Sequence, residues 1–228
     1  MPMHRAVNAD FFKTWSPEMA YILGFFAADG YLTLNKRGAH FWNIQITDEH
    51  ILIEIKKAIR SEHKISVRSR KGNEKIIYRL QIGNKEMCTD LEKLGFMPNK
   101  TKSLAVPHVP QKYFSHFVRG YFDGDGNVWF GLTKKERKSP SLTLLTAFTS
   151  CSRRFLVLLL KKLRQQGIDG GSIYDSKNNY SRLQLGTRDS LKLYKLMYNR
   201  EDSSELLLVR KKVVFERFLA TKKNAVVA

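Results

Sequence analysis

The sequence predicts an α+β fold built from two tandem αββαββα repeats, and three observations predict it. First, a nine-residue pattern occurs twice, as Ile22-Leu23-Gly24-Phe25-Phe26-Ala27-Ala28-Asp29-Gly30 and as Val118-Arg119-Gly120-Tyr121-Phe122-Asp123-Gly124-Asp125-Gly126. Alignment places Gly24 on Gly120, Ala28 on Gly124, Asp29 on Asp125 and Gly30 on Gly126. Second, Arg79-Leu80-Gln81-Ile82-Gly83 returns as Arg182-Leu183-Gln184-Leu185-Gly186, so the duplication extends beyond the nonapeptides. The second spacing is the longer one, and the surplus falls in a basic turn, Lys134-Lys135-Glu136-Arg137-Lys138, where a duplicated fold accepts an insertion. Third, the segments after each nonapeptide alternate apolar and polar residues with the period of a strand.

The elements follow in order. Residues 1–15 read as a short leader anchored by Phe11, Phe12 and Trp15. Ser16-Pro17-Glu18 is a helix start, with Ser as N-cap, Pro at the first helical position and an acid in the first turn. That helix is expected to reach Ala28, with Gly30 and Gly126 as terminators of the positive-φ kind. Pro110 takes the starting role for the second motif helix. Repeat one continues with strands over 31–35 and 41–47, a helix over 48–59, strands over 64–70 and 75–83 around a Gly72-Asn73 turn, and a helix over 85–94. Repeat two continues with strands over 127–132 and 142–149, a helix over 153–165, strands over 172–175 and 181–186, and helices over 189–197 and 207–220. The natural division is 1–105 for the first half and 106–228 for the second.

Within each nonapeptide the small residues are four apart, so Gly24 and Ala28 share one helix face, as do Gly120 and Gly124. Glycine inside a helix costs about 0.5–1 kcal/mol relative to alanine. Close contact between two helices is a use that offsets this. If the two faces meet, Asp29 and Asp125 emerge side by side. Small-xxx-small is also a membrane dimer signature, but the apolar stretches here fall far short of the ~20 residues a span requires. Asp123-Gly124-Asp125-Gly126-Asn127 opens like a calcium loop, yet the sixth and twelfth positions hold Val128 and Lys134 instead of Gly and Glu.

The strands carry a second signal. Ile65, Val67, Tyr78, Leu80 and Ile82 fall on one face, and Ser66, Arg68, Arg70, Arg79 and Gln81 on the other. Trp42, Ile44 and Ile46 alternate with Asn43, Gln45 and Thr47, and Leu183 and Leu185 with Arg182 and Gln184. Thr143 and Thr146 cannot share a face, so the register of that strand stays open. A polar face of this kind is either a solvated exterior or a set of donors and acceptors for base edges and phosphates. Composition favours the second: 40 Lys plus Arg against 21 Asp plus Glu give a net charge of +19, which favours a polyanionic partner, either nucleic acid or an acidic membrane. The two cysteines, Cys88 and Cys151, form no CxxC pair and read as buried free thiols of a reducing compartment. No signal peptide and no spanning segment is evident, so an intracellular protein acting with the genome, in cytoplasm, nucleoid or organelle matrix, is expected.

The two nonapeptides, set in the repeated αββαββα order from Trp15 to Leu219, resemble the LAGLIDADG homing endonucleases, specifically the single-chain form with two motifs. The resemblance implies that the motif helices pack at a pseudo-twofold axis and that two saddle-shaped antiparallel sheets straddle double-stranded DNA. It implies that Asp29 and Asp125 bind a divalent metal, assisted by the carbonyls of Ala28 and Gly124. The earlier acid of the family motif is present as Asp123 and replaced by Ala27 in the first copy. It further implies a basic residue near the metal centre ahead of each closing helix. Lys100 fits in the first half and Lys211 in the second. Asp48 and Ser150 stand where the family often places a water-positioning residue. Asn43, Gln45, Ser66, Arg68, Arg70, Arg79, Gln81, Arg182 and Gln184 become the DNA contacts.

The implied activity is site-specific double-strand cleavage with Mg²⁺, with Mn²⁺ or Ca²⁺ able to take its place for binding. A monomer would read an asymmetric target and leave 3′ overhangs. An RNA-binding maturase and a catalytically silent DNA-binding regulator are the alternatives on the same fold; retention of both acids argues against the latter. The chain opens on Met1 and ends in Ala-Val-Val-Ala, so a free-standing or intron-encoded enzyme fits better than an intact intein.

Overall fold

The structure is a computed structural model and describes residues 5–68, 75–98, 104–133, 140–198 and 206–227. Arg70, the Gly72-Asn73 turn, Lys100 and the basic turn after Thr133 lie outside the described residues. The chain divides into two compact units, Met1–Gly124 with Ser203–Leu207, and Asp125–Asp202 with Leu208–Ala228.

The first unit opens with a leader held by backbone hydrogen bonds, Asn8 donating to the carbonyl of Ile59 and Glu62 to that of Ala6. Phe12 is buried and meets Trp42 edge to face at 5.7 Å. Helix α1 (Pro17–Asp29) starts where Ser16 Oγ accepts from the Met19 amide at 3.1 Å. Its end differs from the expectation. Gly30 has φ −90° and ψ 152°, an extended conformation that leads straight into β1 (Gly30–Leu34). The glycine is needed for space, since a Cβ there would lie 2.0 Å from Cδ2 of Phe26. Gly126 likewise begins a strand.

Strand β2 (His40–Ile46), helix α2 (Glu49–Ala58), strands β3 (Ile65–Arg68) and β4 (Ile77–Gly83) and helix α3 (Lys85–Lys93) follow. The sheet order is β1-β2-β4-β3, antiparallel throughout. Trp42, Ile44, Leu80 and Ile82 are wholly buried on one face, where α2 covers β4 with Ile51, Leu52 and Ile55, and α3 covers β2 with Met87 and Leu91. Burial of this apolar surface stabilises the unit at about 25 cal/mol per Å². Pro110 does not begin the second motif helix. It caps a short 3₁₀ turn, Gln111–Tyr113, from which α4 (Phe114–Asp125) continues.

The repeat boundary at 105/106 marks the duplication of sequence, whereas the boundary of packing lies at Gly124, since α4 is held by α1.

The second unit repeats the plan. Strands β5 (Gly126–Thr133) and β6 (Ser141–Ser150), helix α5 (Arg153–Arg164), strands β7 (Ser172–Asp175) and β8 (Ser181–Leu185) and helices α6 (Thr187–Tyr198) and α7 (Val209–Val227) form a sheet of order β5-β6-β8-β7, antiparallel, with helices on one face. The register left open by sequence is settled. Leu144, Thr146 and Phe148 face the helices with Leu183 and Leu185, and Thr143, Leu145, Ala147 and Thr149 lie on the opposite face, where Ala147 is nonetheless buried. Thr146 is tolerated inside because its hydroxyl meets that of Ser190 at 2.9 Å, and Ser190 Oγ also donates to the Leu185 carbonyl. Phe218 of α7 packs on Phe130 of β5 at 6.0 Å, and Phe215 packs on Tyr194 of α6 at 5.2 Å.

Cys88 is buried, and burial pushes its thiol up to about 12; Cys151, expected to be buried, is exposed at the end of β6. Among the described residues no helix is long and apolar enough to cross a membrane.

Candidate active site and nucleic-acid interface

The motif helices touch through their glycines. A Cβ on Gly24 would lie 2.1 Å from the carbonyl oxygen of Phe117, and one on Gly120 would lie 2.0 Å from that of Tyr21. The two contacts are reciprocal, each glycine of one copy receiving the backbone of the other. Further along, a Cβ on Gly124 would lie 2.4 Å from Cβ of Ala28 and 2.9 Å from Oδ2 of Asp29. Gly24, Ala28, Gly120 and Gly124 thus all lie at this helix contact, and the Asp29 carboxylate rests against Gly124. Asp125, the next residue in the chain, is the last of α4 and is half-buried, as is Asp29.

Asp123 is wholly buried in the same helix contact. Its Oδ2 accepts from the Tyr21 hydroxyl at 2.8 Å, and the Arg119 guanidinium lies over the Tyr21 ring at 5.5 Å. The extra acid of the second motif is therefore structural, with no surface of its own for a ligand. Lys211, at the start of α7, is only 6% exposed, and its Nζ donates to the carbonyl of Gly126 at 2.6 Å. That places a buried ammonium one residue beyond Asp125. Ser150 is buried with its Oγ accepting from the Ser152 amide at 3.1 Å, and Asp48 precedes α2 at its N-cap position.

Among the described residues no group of three or more His, Cys, Asp and Glu side chains is placed to hold a metal. The donors at hand are carboxylate and carbonyl oxygens. This suits Mg²⁺, a hard ion that keeps several waters and binds through one or two carboxylates plus substrate phosphate.

The sheet face away from the helices carries the other candidates. In the first unit Tyr31 pairs with Asn43, Asn43 with Gln81, Gln45 with Arg79 and Ser66 with Arg79, so all share that face. Gln45 Nε2 donates to Tyr31 Oη, and Arg79 Nε donates to Ser66 Oγ at 3.3 Å. Arg68 is exposed. Asn43 departs from its expected role as a DNA contact. It is 0% exposed and its Nδ2 donates to Thr33 Oγ1 at 3.2 Å, so it braces the sheet rather than facing a partner. In the second unit Arg182 and Gln184 lie on the corresponding face, with Gln184 Oε1 accepting from Tyr174 Oη at 3.0 Å. Sequence reasoning missed Tyr31, Trp129 and Tyr174 on these faces. The alternation Asn127-Trp129-Gly131-Thr133 carried the signal for the second of them.

Residues 16–95 match the family described as LAGLIDADG-like domain. A stretch of 100 residues is 35% identical to the probable translation initiation factor IF-2 of Thermococcus kodakarensis; it covers 42% of this chain and spans only 8% of that relative's length. Among solved structures, a mutant of I-SmaMI is similar with a TM-score of 0.64 at 13% identity, over 92% of each chain. The LAGLIDADG meganuclease I-AabMI bound to uncleaved DNA is similar with a TM-score of 0.61 at 14% identity, over 92% of this chain and 91% of that one. I-SmaMI bound to its uncleaved DNA target in the presence of calcium ions is similar with a TM-score of 0.58 at 12% identity, over 92% of this chain and 93% of that one. Residues 16–95 thus resemble a LAGLIDADG-like domain, and the chain has the fold seen in LAGLIDADG meganuclease structures.

Proposed function

We propose that this protein is a site-specific DNA endonuclease. It hydrolyses both strands of a long asymmetric duplex with a divalent cation held by Asp29 and Asp125, and leaves 3′ overhangs. It acts as a monomer inside the cell that carries its target. The observation that carries this reading is the duplicated helix end: α1 and α4 meet through Gly24 and Gly120, and each ends on an acid of its own repeat. The excess of basic residues and the polar sheet faces with Arg68, Arg79 and Arg182 support a duplex as the partner. The similar I-AabMI and I-SmaMI structures, both of them bound to DNA, support it as well.

The chemistry follows from the donors. A phosphodiester repels nucleophiles by its own charge. Mg²⁺ bound at the carboxylates would polarise the phosphoryl oxygen, favour deprotonation of the attacking water and stabilise the departing 3′ oxygen. Asp29 and Asp125 would supply the hard oxygen ligands, and their mutual repulsion near a phosphate would be relieved by a bound divalent cation. The carbonyls of Ala28 and Gly124 add neutral oxygens. The water oxygen bonds to phosphorus as the bond to the 3′ oxygen breaks. A 5′-phosphate and a 3′-hydroxyl result, the latter taking a proton from solvent. Lys211 holds the Gly126 carbonyl, fixing the turn from α4 into β5, and so positions Asp125.

Digestion of a randomised duplex library with purified protein and Mg²⁺, followed by sequencing of the cut ends, tests the reading. A single long consensus with staggered cuts and 3′ extensions is expected. Absence of cleavage at any sequence, with Mg²⁺ and Mn²⁺ alike, would refute it.

A further inference from the structure

The two sheets differ in what stands at two nearby positions of their first strands, Trp129 and Gly131 in β5. In the second unit Trp129 lies on the face away from the helices, opposite Leu145 in the register of β5 and β6. The residue is 45% exposed. The ring lies over Gly131, two residues along on the same face: a Cβ there would sit 2.7 Å from Cζ2 and 3.1 Å from Cη2 of Trp129. The absence of a side chain at 131 is what gives the indole room to lie against the strand. Leu145 is half-buried beside it. In the first repeat the counterpart of Trp129 is Thr33, counting from the aligned acids Asp29 and Asp125, and the counterpart of Gly131 is Asn35. Thr33 Oγ1 is taken up by the buried Asn43. One sheet therefore has an exposed threonine hydrogen-bonded to a buried asparagine where the other has an exposed aromatic shelf.

The major-groove edge of a duplex presents one methyl group, the C5-methyl of thymine; apart from the small C5–H of cytosine, the other features are donors or acceptors. An indole face beside a leucine gains from covering a methyl and loses from covering an amino or carbonyl group that it leaves without a partner. We propose that Trp129, seated on Gly131 and flanked by Leu145, is a specificity-determining contact that favours thymine, through its methyl, at one position of the half-site read by the second unit. The inference rests on the DNA-recognition reading above and adds to it a base preference for one half only.

The test is binding selection of the full-length protein on a randomised duplex library in Ca²⁺. The selected duplex is then resynthesised with deoxyuridine in place of each thymine in turn, which removes only the methyl. One thymine in one half-site is expected to weaken binding by about four-fold when demethylated, the loss that corresponds to one buried methyl group. Trp129→Thr, which installs the counterpart residue, should bind the thymine and uracil duplexes equally. Gly131→Val, which removes the seat and leaves the indole in the protein, should do the same. Full discrimination retained by both variants, or no uracil effect at any thymine of a clear consensus, would overturn the proposal. A library that returns no consensus would overturn the DNA-recognition reading itself.

Discussion

Single residues set the chemistry of the helix contact. The Tyr21 hydroxyl hydrogen-bonds a wholly buried carboxylate, Asp123. Tyr21→Phe keeps the ring and removes that donor, so a loss of about 1.5–3 kcal/mol in urea unfolding is expected, the range for a hydrogen bond to a charged group. An unchanged midpoint would show that the bond carries no net stability. The cysteines separate just as cleanly. Burial holds the Cys88 thiol far above neutral pH, and Cys151 is open to solvent. One equivalent of thiol should react rapidly with a disulfide reagent at pH 7.5 in the folded protein, and Cys151→Ser should abolish that reaction. Reading both thiols as buried rested on residue type alone; exposure at Cys151 follows from its place after the last residue of β6, which composition does not reveal.

Among the elements, α1 and α4 are the most constrained pair. Gly24 and Gly120 have no room for a methyl, and what they meet is backbone, which cannot step aside as a flexible side chain would. Gly24→Ala or Gly120→Ala should therefore destabilise the protein by 1–3 kcal/mol or more, about the cost of forcing extra volume into a packed contact. Thermal melts of the two variants check this, and similar losses are expected because the contacts are reciprocal. The four-residue spacing of the small side chains makes this contact legible in the amino-acid sequence alone. The helix ends are less legible. Glycine after a helix suggests a left-handed cap, but Gly30 is extended and its lack of a side chain serves Phe26. A glycine in a sequence reports that a Cβ is unwelcome, and only the fold says whether φ or space is the reason.

Across the whole molecule, two sheets of identical strand order repeat one plan, and the net charge of +19 favours a polyanionic partner for it. The polar faces are mostly visible as alternation along β2, β4 and β8. Asn43 is the exception, since alternation fixes the face of a residue and not what covers it. If the sheets track a duplex, Arg79→Ala should weaken binding and lower the steepness of log K against log salt by about one unit, the share of one phosphate contact. Fluorescence titrations at three salt concentrations measure it; an unaltered slope with unaltered affinity would remove Arg79 from the interface. Lys211→Met should slow cleavage at saturating DNA while leaving the dissociation constant within about two-fold, as expected of a group that orients the strand after Asp125 without touching a base.

The central claim is that one acid from each repeat serves a shared cation at the scissile phosphates. The direct measurement is cleavage and binding of the selected duplex by Asp29→Asn and by Asp125→Asn in Mg²⁺. Each variant should lose double-strand cleavage by at least about a hundred-fold, the scale of removing a ligand of a catalytic ion, while binding the duplex in Ca²⁺ within about ten-fold of the parent. Normal cleavage by either variant would contradict the account.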